Sequence, residues 1–237
     1  MKKFKISVII IFLSIFSNAQ EYPTIENNNH KIIAKVSLSS FAFPDVFNLY
    51  YGILSAGVEK SISNNTSVSL QAGYILNYGK SEGLYRISAN SVHGFNTNLE
   101  YRKYFGKYSK SGIIPLLVFP FWFQGKTQQN GMSGLYYAVH LHGQNLNISR
   151  SNNDIYTYLV NRKSVATHVK LGYQSINKSN IVLDQGIGIG IRYISSNSKN
   201  KLGNSNDFEF PYSKPLDNGD KLFFSWTYHL NIGFAFK

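Results

Sequence analysis

The stretch that decides the fold is FFSWTYHLNIGFAFK, residues 223 to 237. Every second residue from Phe224 to Phe236 is large and apolar, and the residues between them are small or polar. A period of two indicates a β-strand, because successive side chains point to opposite faces. The apolar face is heavier than a strand packed on its own core needs. The stretch therefore predicts a β-strand with one heavily apolar face.

Seven further segments show the same alternation, and most of the eight are ten or more residues long. That exceeds the roughly five or six residues usual for strands of soluble sheets. The seven segments, in chain order, are KIIAKVSLSS, YYGILSAGVEKSI, SVSLQAGYILNY, GFNTNLEYRKY, LYYAVHLHGQ, VATHVKLGYQ and IVLDQGIGIGIRYI. The chain is therefore expected to be all-β.

Alternation alone does not tell a soluble sheet from a membrane barrel, but strand length and closure do. Tilted strands of ~9–11 residues match the hydrocarbon core of a bilayer. An even number of strands closed into a ring leaves no open backbone edge in lipid. We therefore predict a closed antiparallel transmembrane β-barrel with eight strands in an up-and-down meander. A soluble, exported, lipocalin-like barrel is the structural alternative.

One segment leaves the strand number open. SGIIPLLVFPFWFQGK, residues 111–126, is apolar but contains Pro115 and Pro120, which are badly placed in a paired strand. We favour an interfacial segment with its aromatic residues at headgroup depth. The alternative is a ten-stranded barrel, in which this segment pairs with a strand around DFEFPY.

The polar faces of the predicted strands carry charges of both signs among small glycines and serines. The interior of an eight-stranded barrel is just wide enough to be filled by side chains. We expect paired charges and glycines to fill the lumen without a pore. The predicted lumen-facing polar network consists of Lys35, Glu59, Glu100, Arg102, His140, His142, His168, Lys170, Asp184, Arg192 and His229.

Residues 1–19 are predicted to be a cleaved secretory signal peptide. Lysines precede the apolar run ISVIIIFLSIF, and Ser17 and Ala19 precede a plausible cut before Gln20. The run is about half the ~20 residues that a membrane-spanning helix needs. Residues 20–30 are expected to form a short periplasmic extension, and residues 31–237 the barrel. No cysteine is present, so burial and hydrogen bonds alone must hold the fold together.

The formal net charge is +12, and a basic balance can mark a nucleic-acid partner. Here the basic residues are scattered, and the one local cluster, YRKYFGKYSK, matches no nucleic-acid motif. We expect no nucleic-acid partner.

Connection lengths predict the orientation of the barrel. Outer-membrane barrels place short turns and both termini in the periplasm and longer loops outside. The predicted outer loops are 42–49, 79–91, 151–163 and 195–220, and the predicted inner turns are 62–65, 106–132 and 176–179. Two of the three inner turns are short, as this orientation requires.

The sequence offers three candidate chemistries. The lumen histidines could bind a metal only if neighbouring strands brought them to one level, and a hydrogen-bonded lumen is the simpler expectation. GIGIG at 186–190 lacks the helix that a phosphate-binding loop needs, so its glycines are expected to let bulkier neighbours close the lumen. Ser225 and His229 lie ~13 Å apart along one strand, too far for a nucleophile pair. No catalytic residue, metal or cofactor is predicted.

The order of several motifs resembles a family of small, mostly uncharacterised outer-membrane β-barrels of Gram-negative bacteria. These motifs are the signal ending in NAQ, then VSLQAGY, LEYRKYF, GLYYAVHLHGQ and the terminal LNIGFAFK. The last strand is also similar to the C-terminal signal read by the barrel-assembly machinery, although it ends on Lys237 rather than on an aromatic residue. The residues of this predicted assembly signal are Tyr228, Leu230, Ile232, Gly233, Phe234 and Phe236.

The resemblance and the strand pattern together predict a non-enzymatic, monomeric outer-membrane barrel with a structural or binding role. Its expected partners are outer-membrane lipids, the assembly machinery during biogenesis and an unidentified extracellular ligand. An outer-membrane lipid hydrolase and a small channel are the alternative functions.

Overall fold

The computed structural model of the chain describes residues 30–37, 51–77, 81–82, 87–105, 132–152, 156–176, 179–199 and 218–237. The predicted signal peptide, the extension up to residue 29, and the segments 111–126 and 207–212 lie outside these ranges. Within the described ranges, no helix is long and apolar enough to cross a membrane.

Nearly all of the described residues lie in β-strands. The strands are β1 Ile32–Ser37, β2 Tyr51–Ser63, β3 Thr66–Asn77, β4 Ser81–Glu82, β5 Ile87–Phe105, β6 Gly134–Asn152, β7 Tyr156–Ile176, β8 Ile181–Lys199 and β9 Gly219–Phe236. β4 has only two residues and pairs with β5 beside β3.

The other eight strands form one ring-closed antiparallel sheet. Strands that follow one another along the chain pair with each other, β3 pairs with β5, and the last strand returns to the first, with Phe236 opposite Ile32. The predicted all-β class, the eight strands and the up-and-down order are thereby confirmed.

Burial alternates along the strands, so each strand has an inward and an outward face. In β1 the side chains of Ile33, Lys35 and Ser37 are buried, and those between them are exposed. The outward face of the ring is apolar: Phe95 and Val169 are each 64% exposed. Charged and polar side chains, by contrast, make up much of the buried interior.

The predicted bounds of the outer loops 79–91, 151–163 and 195–220 are wrong. β5 begins at Ile87, β6 extends to Asn152, β7 begins at Tyr156, β8 extends to Lys199 and β9 begins at Gly219, so the strands continue into all three stretches. The reason is that the apolar face changes sides there. Near the start of β6, Val139 and Leu141 point outward, whereas near its end Leu146 and Ile148 are buried.

The two ends of the ring differ in what they carry. The terminal end holds residue 31, the end of β9 and the turn at 64–65, and the loop end is the opposite one. An apolar cluster lies inside each end. At the terminal end it consists of Ile33, Tyr104, Met132, Tyr136, Ala138, Val182 and Ala235; at the loop end, of Ile75, Val92, Leu146, Ile148, Tyr158 and Val160.

Closure of the ring at its terminal end depends on Phe236. The Lys31 amide donates to the Phe236 carbonyl at 3.0 Å, and the Phe236 and Phe234 rings contact edge to face. Removing Phe236 and Lys237 together should therefore lower the yield of closed protein severalfold in refolding from urea into detergent. Removing Lys237 alone, which lies beyond β9, should leave the yield unchanged. Equal yields from both truncations would contradict this account of closure.

Candidate functional site

The structure places the predicted lumen residues on the inward face of the ring. Nine of them are buried: Lys35, Glu59, Glu100, Arg102, His140, His168, Lys170, Asp184 and His229. His142 and Arg192 also point inward but keep partial solvent exposure. They form three groups along the barrel axis: an ion-pair layer, a histidine layer, and Arg192 toward the loop end.

Lys35 of β1 contacts strands on both sides of the β1–β9 pair that closes the ring. Its ammonium group donates to Glu59 of β2, to Gln174 of β7, and to Asp184 of β8 at 2.8 Å. The side chains of Lys35, Glu59 and Asp184 have no solvent exposure. Buried charges of this kind are tolerated only when they are paired and hydrogen-bonded.

Arg102 of β5 crosses the lumen to the same carboxylates. Its Nη1 lies 2.9 Å from Asp184 and 3.2 Å from Glu59, and its Nε donates to Glu100 at 2.7 Å. Lys170 of β7 also pairs with Glu100. Three cations thus face three carboxylates, which leaves this ion-pair layer with no net charge.

Sequence reasoning missed several uncharged members of the ion-pair layer. Tyr104 donates to Glu59 at 2.6 Å, Tyr136 donates to Asp184 at 2.7 Å, and Asn231 donates to Asp184 at 3.1 Å. Ser67 of β3 also donates to Glu59, and His229 of β9 lies 3.2 Å from Asp184. All eight strands of the ring therefore contribute a side chain to this layer. The sequence could have indicated these residues, because they alternate with the outward residues of strands whose inward face is polar.

Gly172 makes room for Tyr136. A Cβ at Gly172 would lie 2.3 Å from the Tyr136 ring, which passes over this position to reach Asp184 and His229. The Tyr136 ring also lies beneath the Arg102 guanidinium, 4.6 Å from its centre. This contact has the geometry of a cation–π interaction. At Gly172, the lack of a side chain lets the bulkier Tyr136 fill the lumen.

A histidine layer lies next to the ion pairs on the loop side. His140 pairs in register with Glu100 and with His168, and the two histidine rings stack 5.3 Å apart. Asn98 Oδ1 lies 3.0 Å from His140 Nε2 and 2.8 Å from His142 Nδ1. A carbonyl oxygen only accepts, so in neutral rings both of these nitrogens carry the proton.

These proton positions determine the direction of the remaining hydrogen bonds in the histidine layer. His140 Nδ1 must accept from His168 Nδ1, which lies 3.2 Å away. His168 Nε2 then accepts from the Ser225 hydroxyl at 3.0 Å. The serine partner is thus His168, across the side-chain-free Gly190 of β8, and not the His229 considered from the sequence. Ser225 is only 3% exposed, so no substrate reaches it in this state.

The histidines do not converge on a metal position. Within the described part of the chain, no group of three or more His, Cys, Asp or Glu residues is placed to hold a metal ion. His229 lies apart from the other three, against Asp184 and Tyr136.

The residues of the predicted assembly signal lie on β9, on the side opposite the lumen except for Gly233. Phe234 and Phe236 are 44% and 47% exposed, and Tyr228, Leu230 and Ile232 are half-buried. Gly233 faces inward in register with Lys35, where a Cβ would lie 3.1 Å from the Lys35 side chain.

The ion-pair layer should be more sensitive to loss of one charge than the outer face is. Arg102→Met leaves buried carboxylates without their partner, which costs about 3–5 kcal/mol. Lys103→Met, at the next residue on the exposed face, should change stability by no more than about 0.5 kcal/mol. Urea unfolding in detergent, followed by circular dichroism, measures both. Similar losses would mean that the layer contributes no more than surface charges do.

No family model, curated protein or solved structure matches the chain.

Proposed function

We propose that the chain is an integral outer-membrane β-barrel of non-enzymatic type, with a structural or binding role served by its extracellular loops. The observation that carries the proposal is the change of apolar face within single strands. Along β7, Val165, Val169 and Leu171 are half or more exposed, whereas Tyr158 and Val160 are buried. The pairing of β6 with β7 continues without a register shift through this change.

A change of surroundings explains this reversal. Where the outer face meets water, apolar side chains belong inside the ring; where it meets lipid, they belong outside. The outward residues of β7 become mainly polar on the loop side, at Lys163 and Asn161, with Leu159 as an apolar exception, and those of β6 become polar at Asn145 and Asn147. A soluble lipocalin-like barrel would have no reason to reverse its apolar face partway along its strands.

Aromatic residues at both borders of the apolar zone support the same proposal. Toward the terminal end, the Phe105 and Tyr137 rings lie 5.7 Å apart. Toward the loop end, Tyr74 and Phe95 meet edge to face at 5.1 Å, and Trp226 is 43% exposed. Aromatic residues favour the two membrane interfaces, where an amphipathic ring meets both lipid and headgroups.

The lumen favours a closed barrel over the small channel considered as an alternative. The ion-pair layer takes side chains from every strand of the ring, and the charged groups of Lys35, Glu59 and Asp184 have no solvent exposure. An aqueous pore would instead keep its charges hydrated. Among the described residues, the Ser225–His168 contact favours a hydrolase, and the burial of both residues counts against it.

Biogenesis follows from the same proposal. The resemblance to small Gram-negative outer-membrane barrels implies export, both termini in the periplasm and recognition of the last strand by the assembly machinery. The exposed Phe234 and Phe236 on β9 suit that recognition, because this strand must also pair with β1 to close the ring. The ring needs no second copy for closure, which agrees with a monomer.

Substituting an arginine on the outer face tests whether that face meets lipid or water. Val169 is 64% exposed and pairs with Val139 and Ile189, which are also exposed. In water, Val169→Arg would be nearly neutral. At the middle of a bilayer it costs about 2–4 kcal/mol. The expected result is a marked loss of folded protein from the outer-membrane fraction, measured as the band whose gel mobility changes on boiling.

Asn161→Arg is the matched control on the same strand. Asn161 is exposed and points outward beyond the apolar zone, between Asn147 and Asn197 of the neighbouring strands. This variant should accumulate like the wild type. If Val169→Arg accumulates equally well, the apolar zone does not face lipid and the proposal fails.

A further inference from the structure

Arg192 is a lumen cation that lacks the partners the other lumen cations have. It lies on β8 in register with Ala166, which in turn pairs with His142. Its Nε is buried and has no hydrogen-bond partner in the described part of the chain. No described carboxylate pairs with Arg192, whereas Lys35, Arg102 and Lys170 all have ion-pair partners. The lumen therefore carries an uncompensated positive charge on the loop side of the histidine layer.

A further unsatisfied polar atom lies beside Arg192. Ser164 Oγ of β7 is buried without a partner among the described residues, and its side chain is only 4% exposed. Ser164 lies diagonally across from Arg192 on the neighbouring strand, within reach of a long side chain. Buried polar groups left without partners point to a missing water or ion.

The electrostatics of this region select the sign of the missing group. Arg192 lies beside the histidine layer, and the carboxylates Glu59, Glu100 and Asp184 are already engaged in the ion-pair layer. The partly buried guanidinium loses part of its hydration, and an anion would compensate for that loss. An anion at Arg192 would supply the missing charge and accept hydrogen bonds from the guanidinium and the Ser164 hydroxyl.

We propose that the loop side of the lumen binds a small oxyanion, a carboxylate or phosphate group, at Arg192. The planar guanidinium offers parallel N–H donors that match the oxygens of either group. Ser164 supplies a hydroxyl donor. Arg192 keeps partial solvent exposure, so the site is reachable from water. Barrels of about eight strands can hold one small ligand in the lumen.

This inference goes beyond the proposed function and does not depend on a bilayer, because the lumen would be the same in a soluble barrel. It is tested with the full chain refolded into detergent, by measuring the thermal unfolding midpoint as sodium phosphate or sodium acetate replaces sodium chloride at constant ionic strength. At least one of the two anions should raise the midpoint by several degrees with saturation. The anion that produces the shift identifies the bound group as a phosphate or a carboxylate.

Matched variants separate binding from general salt effects. Arg192→Gln should abolish the saturable shift and, in chloride, should unfold at or above the wild-type temperature, because it removes an unpaired charge. Lys163→Gln, which removes an exposed charge from the outer face beside Ser164, should keep the full shift. Saturable shifts of equal size in the wild type and in Arg192→Gln, or none with either anion in the wild type, would overturn the proposal.

Ser164→Ala provides a second test that does not depend on how well Arg192→Gln folds. Loss of the hydroxyl should raise the half-saturating anion concentration severalfold and leave the midpoint in chloride nearly unchanged. An unchanged half-saturating concentration would overturn the site as described.

Discussion

The buried ion-pair layer is the constraint on which the rest of the structure depends. Three cations and three carboxylates are withdrawn from water inside the ring, and every ion pair among them except Arg102–Glu100 joins two different strands. Lys35 and Asp184, for example, are separated by 149 positions. A partly closed sheet would leave some of these charges desolvated without a partner, which costs several kcal/mol per ion. The layer therefore makes closure of the ring cooperative.

The polar interior and the apolar exterior both follow from the alternation of side chains along each strand, which repeats every two residues. A strand that places Lys170 in the lumen must place Val169 and Leu171 outside, because neighbouring side chains alternate between faces. The charges need the ring to keep water out, and under the proposed function the apolar outer face meets lipid. The alternation of side chains thus links the polar lumen to the apolar outer face.

Much of this arrangement could be predicted from the sequence, because alternation over long segments reveals both strands and faces. Two parts could not. The loop-side halves of β6 and β7 resembled loops, since Leu146, Ile148 and Tyr158 lie on the face opposite to that of the earlier apolar residues. Contacts across the lumen, such as Ser225 with His168, depend on register over an intervening strand, and no local pattern encodes that register.

The central claim is that the exposed apolar zone meets lipid, and the absence of cysteine from the chain allows a direct test. Val169→Cys and Asn161→Cys each place one thiol on the outer face of β7, at positions that are both exposed in the isolated chain. With a water-soluble maleimide on outer-membrane preparations, the thiol at position 161 should react readily. The thiol at position 169 should react only after denaturation. Equal reaction at both positions in the native protein would contradict the account.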